Sequence, residues 1–399
     1  MKRLVGLLVG ILIGILSLNG WAESSSTEYR PIVIGSKFNI TSKILGEDKE
    51  IYVSLPHKYD ERVHDYPVIY VLEAEYLFDS VRSIAKLMAT RSHMPQSIIV
   101  GIANGSYSKR FDMDLPTHGG KPEKHLQFLK NELIPHIEKN YRANSHRTIV
   151  GLSPTNGLIF EAFWAEPELF KGYIALSAHL EWDPVKNVKL IDKFIDTITK
   201  PDYPKTTIYM GRAGLDLQED PSYQKYYKEA ADKLSKKPVT NVTYKIEILK
   251  DEEHYAMALP GIKNGFELIY PREKWTDFNF SWKDEPVEKI KRHYEGLSKL
   301  YGFDVYPIED GHNYGSHLSG LAHNSSRFGK NKQAIEVLKL GIGYYPNSAN
   351  LYMKLAEAYK KEGQQKLAKQ ANDKAVMLAE KYHPEDMKAF ELISQQFGK

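Results

Sequence analysis

Thr148-Ile149-Val150-Gly151-Leu152-Ser153-Pro154-Thr155-Asn156-Gly157 is the stretch that decides how this chain folds. A short β-branched and apolar run reads as a buried strand, and the helical spacing that begins at Thr155 follows it with no loop between. Strand, sharp turn and helix in such close succession lift a side chain out at the carboxyl edge of a sheet. Outward from this unit the same alternation recurs. Strands are expected at 51–55, 68–72, 97–102, 173–177, 207–210 and 242–249, and helices at 78–88, 122–141, 155–164, 187–198, 222–234 and 259–267. Short bounded strands joined by crossover helices predict an α/β fold, a doubly wound and mostly parallel sheet.

After Tyr270 the pattern changes. Residues 271–284 are rich in charge and aromatics, and only helical patterns lie beyond, so a domain boundary is expected near residue 275. Leu321 and Leu355, Ala322 and Ala356, Gly329 and Gly363, and Ala334 and Ala368 are each 34 residues apart. That period, with small residues where paired helices would touch, resembles tetratricopeptide repeats over about 315–381. The expected organisation is therefore 1–22, 23–275, a connecting helical segment 276–314, and a small all-α repeat region 315–399. Two repeats are fewer than such arrays need to stand alone, so they are expected to pack on neighbouring elements.

The first residues read as a signal peptide: Lys2 and Arg3, an apolar run from Leu4 to Leu18, then Gly20-Trp21-Ala22 as a small-residue cleavage site. Export to the periplasm or the medium is the expectation, with no membrane span after cleavage. The chain has no Cys, so disulfides contribute nothing to its stability. With 54 Lys and Arg against 51 Asp and Glu, and no long block of one sign, it lacks the footprint of a nucleic-acid binder. No glycine-rich phosphate loop follows a strand, and His118 has no second ligand at metal spacing, so neither cofactor nor metal is expected.

Chemistry concentrates at strand ends. Ser153 follows one strand, Asp216 lies in the loop after 207–210, and His254 lies just after 242–249. A serine becomes a nucleophile only beside a base that an acid orients, and the chain order Ser, Asp, His is that of α/β-hydrolases. Glu219 and Asp220 share the acid's loop and are alternatives to Asp216. Ser153 followed by Pro154 is also a good helix start, with the serine as a cap. Arg110, Asp112 and Asp114 are expected to form a solvated, locally paired loop.

The chain resembles the esterase family that includes enterochelin-type siderophore esterases and the esterase D-like enzymes. The residues that carry the likeness are 66–79, the Ser153 turn, 167–177, Trp182-Asp183, and the segment from His254 to Pro260. The resemblance covers roughly 30–270 and implies Ser153 as nucleophile and His254 as general base. It also implies backbone oxyanion donors around Ala74 and Glu75, and a small ester or thioester as substrate. Two positions depart from the G-x-S-x-G pattern. Thr155 stands where a glycine is usual, and Pro154 removes the N–H that this fold ordinarily uses as one oxyanion donor. The N–H of Thr155 is the expected replacement. A second reading, motivated by Pro154, is a weakened hydrolase fold serving as a binding or scaffolding protein, with a protein partner on the repeats.

Overall fold

The computed structural model describes residues 31–178, 182–183, 188–219, 222–275, 286–310 and 317–397. The expected signal peptide at 1–22, Asp220, and parts of the connecting segment lie outside these residues. Ten strands are described: β1 (Ser36–Ser42), β2 (Glu47–Ser54), β3 (Tyr66–Leu72), β4 (Ile98–Ile102), β5 (Ala143–Leu152), β6 (Gly172–Leu176), β7 (Trp182–Asp183), β8 (Val188–Lys189), β9 (Thr206–Ala213) and β10 (Val242–Leu249). Eight form one sheet in the order β1-β2-β4-β3-β5-β6-β9-β10, while β7 and β8 make a separate small ribbon. From β4 to β10 every pairing is parallel; β1 and β2 run antiparallel at one edge.

The central strands are buried along their whole length, β3, β4 and β6 without an exposed position. A strand covered on both faces has no polar side to show, which is why these read as continuous apolar runs. One face carries α1 (Ala74–Thr90); the other carries α2 (Pro122–Phe128), α3 (Ile134–Asn140), α4 (Asn156–Ala165), α5 (Leu190–Ile198) and α7 (Ser222–Leu234). Between β9 and α7 lies the short α6 (Gly214–Glu219), and α8 (Ala258–Ile269) packs beside α1. The single helix expected at 122–141 is interrupted by a π-helical turn, Leu129–Leu133, between α2 and α3. Pro135 follows two residues after the turn and has no N–H to continue an α-helical ladder, which accounts for the wider turn.

Past α9 (Arg272–Trp275), α10 (Pro286–Tyr301) leads to five further helices: α11 (Leu318–Arg327), α12 (Asn331–Tyr344), α13 (Ala349–Lys361), α14 (Gln365–Tyr382) and α15 (Met387–Ser394). The offset of 34 is visible in three dimensions. Gly329 and Gly363 end α11 and α13 with nearly the same left-handed φ of 77° and 74°, and Ala334 and Ala368 are fully buried early in the following helices. These helices share one apolar cluster with the α1 and α8 face of the sheet, running from Val71 and Leu152 through Tyr270 and Trp275 to Leu355 and Ala371. Gly35–Lys399 accordingly forms one compact unit.

The junction lies at the amino end of the central strands. Glu309, 2% exposed, accepts hydrogen bonds from Arg62 and the Ser348 hydroxyl, with Lys58 Nζ 3.6 Å away. His64 stacks on Tyr306 at 3.8 Å, and its Nε2 lies 2.7 Å from the Tyr344 carbonyl. His146, near the start of β5, is enclosed by Tyr270, Tyr301 and Phe303. Burial pushes its imidazole down to about 4.

Candidate active site

Parallel strands point their carboxyl ends the same way, so the residues just after β3, β5, β6, β9 and β10 gather at one edge. Three of the non-glycine residues with a left-handed backbone stand first in that position: Glu73 (φ 56°), Ser153 (φ 58°) and Ser177 (φ 48°), after β3, β5 and β6. A side chain costs about 1–2 kcal/mol in that conformation, and such strain collects where a fold positions reacting groups. For Ser153 the strain also decides between two readings. A helix-capping serine adopts an extended backbone, whereas Ser153 opens a 3-10 turn, Ser153–Thr155, and α4 begins only at Asn156. The serine is a half-buried elbow rather than a helix cap.

Asp216 lies in α6, immediately after β9, and His254 in the turn after β10. His254 Nδ1 is 2.8 Å from Asp216 Oδ2. With the proton on Nδ1, that N–H donates a hydrogen bond to the carboxylate and the Nε2 lone pair is left to act as a base. The two loops are laced together by the Leu215 N–H donating to the Glu252 carbonyl at 3.3 Å. The backbone of His254 is fixed from a third strand end, where the buried Ser177 hydroxyl donates to its carbonyl at 3.2 Å. Arg212, also buried, has its Nε 3.9 Å from Asp216 Oδ2. Of the alternative acids, Asp220 and the side chain of Glu219 lie outside what is described.

The oxyanion candidates fall at the start of α1. Its first intrahelical bonds are made by Tyr76 and Leu77, which donate to the Glu73 carbonyl at 2.9 and 3.0 Å. The N–H groups of Ala74 and Glu75 precede these bonds and have no partner within the helix. Thr155 is fully buried one residue beyond Pro154. Its hydroxyl accepts the Leu152 N–H at 3.1 Å and shares its one proton between the Leu152 carbonyl at 3.1 Å and Glu73 Oε1 at 3.2 Å. Close backbone approach in this segment occurs at Gly157, where a Cβ would come within 2.3 Å of the Asp114 backbone.

Arg110 corrects an expectation. It is 2% exposed rather than solvated, and its guanidinium pairs with Glu73 at 2.8 Å and donates to the Tyr255 hydroxyl at 3.1 Å. Glu73 itself is wholly buried, and burial outweighs Arg110 and Thr155 to push its carboxyl up to about 7. Neither residue announces itself in the sequence, because a buried charge shows only once its partner, 37 positions away, is folded against it. A cleft of about 550 Å³ opens here, lined by Tyr76, Tyr107, Arg110, Leu152, Tyr255 and Leu259. Leu152 and Tyr255 are the chain neighbours of Ser153 and His254. At the opposite edge, His383, Glu385 and Asp386 bring potential metal-ligand atoms within 4.8 Å of one another, and His383 Nε2 lies 2.8 Å from Glu61.

Known proteins share this fold. The chain is 24% identical to an IroE-like serine hydrolase from Shewanella oneidensis, whose crystal structure superposes with a TM-score of 0.62 over 78% of this chain and 99% of that one. An uncharacterised protein from Capnocytophaga ochracea superposes with a TM-score of 0.56 over 90% of this chain and 99% of its own, at 19% identity, a likeness of fold that reaches into the helical region. Ferri-bacillibactin esterase BesA of Bacillus subtilis is 27% identical over 164 residues, 35% of this chain and 56% of the relative's length. The chain thus spans just over half of that curated relative. The family model described as "Putative esterase" matches residues 42–296, more than half of the sequence, and the chain belongs to that esterase family.

Proposed function

We propose that this chain is an exported serine esterase that cleaves a small ester or thioester through an acyl-enzyme. The observation that carries the reading is the left-handed Ser153 at one strand end, with His254 and Asp216 paired at 2.8 Å on two strand ends beyond it. In the first step His254 Nε2 takes the Ser153 hydroxyl proton as Oγ bonds to the ester carbon, and the carbonyl π pair moves onto oxygen. As the tetrahedral carbon collapses, the bond to the leaving oxygen or sulfur breaks and His254 returns the proton to it. Water then repeats the sequence on the acyl-enzyme, and Ser153 leaves with its proton restored. Asp216 holds the imidazole tautomer throughout. The N–H groups of Ala74 and Glu75, with that of Thr155, take the place of the donor that Pro154 lacks.

Among esters, an aryl-bearing one is favoured. Tyr76, Tyr107 and Tyr255 rim the cleft with more than half of each side chain exposed, and the relative named ferri-bacillibactin esterase points to a siderophore-like substrate. Export rests on the 1–22 segment, and the 34-residue spacing supports reading α11–α14 as two tetratricopeptide-like pairs. The experiment is hydrolysis of p-nitrophenyl esters with and without Ser153→Ala, alongside organophosphate labelling. Wild type should hydrolyse and become labelled at Ser153, and the variant should lose at least about 1000-fold in kcat. Activity that survives the substitution would remove Ser153 from the mechanism.

A further inference from the structure

Glu73 and Arg110 have no part in the proton transfers above, yet between them they touch three of the strand-end segments that build the site. Glu73 immediately precedes the two free N–H groups of α1, its Oε1 accepts the Thr155 hydroxyl from the serine turn at 3.2 Å, and its carboxylate pairs with Arg110 at 2.8 Å. Arg110 in turn donates to Tyr255, the residue after His254, at 3.1 Å. Oxyanion loop, nucleophile turn and base loop, which come from three different strands, therefore meet on one buried ion pair. Full burial of a carboxylate and a guanidinium is costly, so a pair retained at this place calls for a reason beyond stability.

We propose that Glu73 and Arg110 are positioning residues that hold the Ala74 and Glu75 N–H groups in register with Ser153, in place of the donor missing at Pro154. The inference rests on the serine-esterase reading and adds to it the part that aims the oxyanion donors. Pro154 makes the aim decisive: where a fold ordinarily supplies one donor from the residue after the serine and one from the α1 loop, this chain lacks the first and leans more heavily on the α1 side. Thr155 then has its own role. At the position where a glycine is usual, it is the tie between the serine turn and Glu73. Misplacement of reacting groups by about 1 Å costs on the order of 100-fold in rate, so loosening this tie should be read in kcat.

The test uses the full chain and p-nitrophenyl butyrate, with rates expressed per Ser153 titrated by an organophosphate. Glu73→Gln and Arg110→Met are expected to lower kcat by about 10- to 100-fold while KM moves less than about threefold. A trifluoromethyl ketone, whose Ser153 adduct carries a full oxyanion, should lose affinity by a similar factor. Because removing one member of a buried pair can prevent folding, Thr155→Val and Thr155→Ser provide a second arm. The valine keeps the shape and loses the tie, so kcat and ketone affinity should fall together; the serine keeps the hydroxyl and should restore both. If the wild type is active and labelled, but folded Glu73→Gln or Thr155→Val retains kcat and ketone affinity, the positioning role is overturned and the esterase reading stands. If the wild type neither hydrolyses the ester nor reacts at Ser153, both are overturned.

Discussion

The two edges of the sheet each bury an arginine against a glutamate, and the two pairs are in opposite electrostatic states. At the amino edge, burial pushes Glu309 upward, but Arg62, Lys58 and the Ser348 hydroxyl together overcome it and hold the carboxyl below its ordinary value. At the carboxyl edge, burial prevails over Arg110 and Thr155, and Glu73 is raised to about 7. The difference lies in the number of partners: a second cation, Lys58, faces Glu309, whereas Glu75, another acid, stands near Glu73. A fully compensated charge pair fastens two parts of a fold together. An undercompensated one is tolerated where geometry matters more than stability.

The contrast is broken most forcefully at the junction. Glu309→Ala leaves Arg62 buried without its carboxylate, and a loss of about 3–5 kcal/mol in unfolding free energy is expected in urea titrations. Esterase turnover per titrated Ser153 should be unchanged in the molecules that remain folded. Next in size is the acid response of the same edge. His146 is held neutral, with its folded pKa well below the unfolded one, so its contribution is fully present above about pH 6.5 and is lost as the pH falls towards 4. The loss should approach about 3 kcal/mol, and His146→Phe should flatten it in a pH series of unfolding midpoints.

A finer measurement compares the slopes that the two glutamates impose on stability. Glu309, depressed in the fold, contributes at neutral pH and loses that contribution as the pH falls through its folded value. Glu73, raised in the fold, contributes below its unfolded value near 4.5 and loses that contribution as the pH rises through about 7. Glu309→Gln should therefore flatten the acid side of the stability profile and Glu73→Gln the neutral side; identical profiles would erase the distinction. The smallest stability change is expected from Pro154→Ala, about 0.5 kcal/mol through a looser unfolded chain. The same substitution restores an N–H at the elbow and should raise kcat towards the roughly 100-fold that one oxyanion donor contributes.

Much of this was legible in the chain. Buried parallel strands are apolar on both faces, so β3, β4, β5, β6 and β9 stand out as runs, and the helices between them carry their period openly. The edge strand β1 does not: SKFNITS alternates polar and half-buried positions, and it is a strand only because β2 pairs with it. At the candidate site, Ser153, Asp216 and His254 could be proposed because strand ends are readable and the chemistry confines the residue types. Glu73 and Arg110 escaped because their roles arise from a contact between distant segments. The interruption after α2 escaped for a smaller reason, since one proline changes the ladder without disturbing the apolar spacing around it.

The apolar cluster that joins the sheet to the terminal helices also governs when this protein can mature. One side of the sheet, with Val71, Leu152 and Leu176, shares its interior with Leu355 and Ala371. Helices α1 and α8 cover the sheet on that side, and the terminal helices extend the same apolar cluster outward from them, so the surface they close stays apolar until they dock.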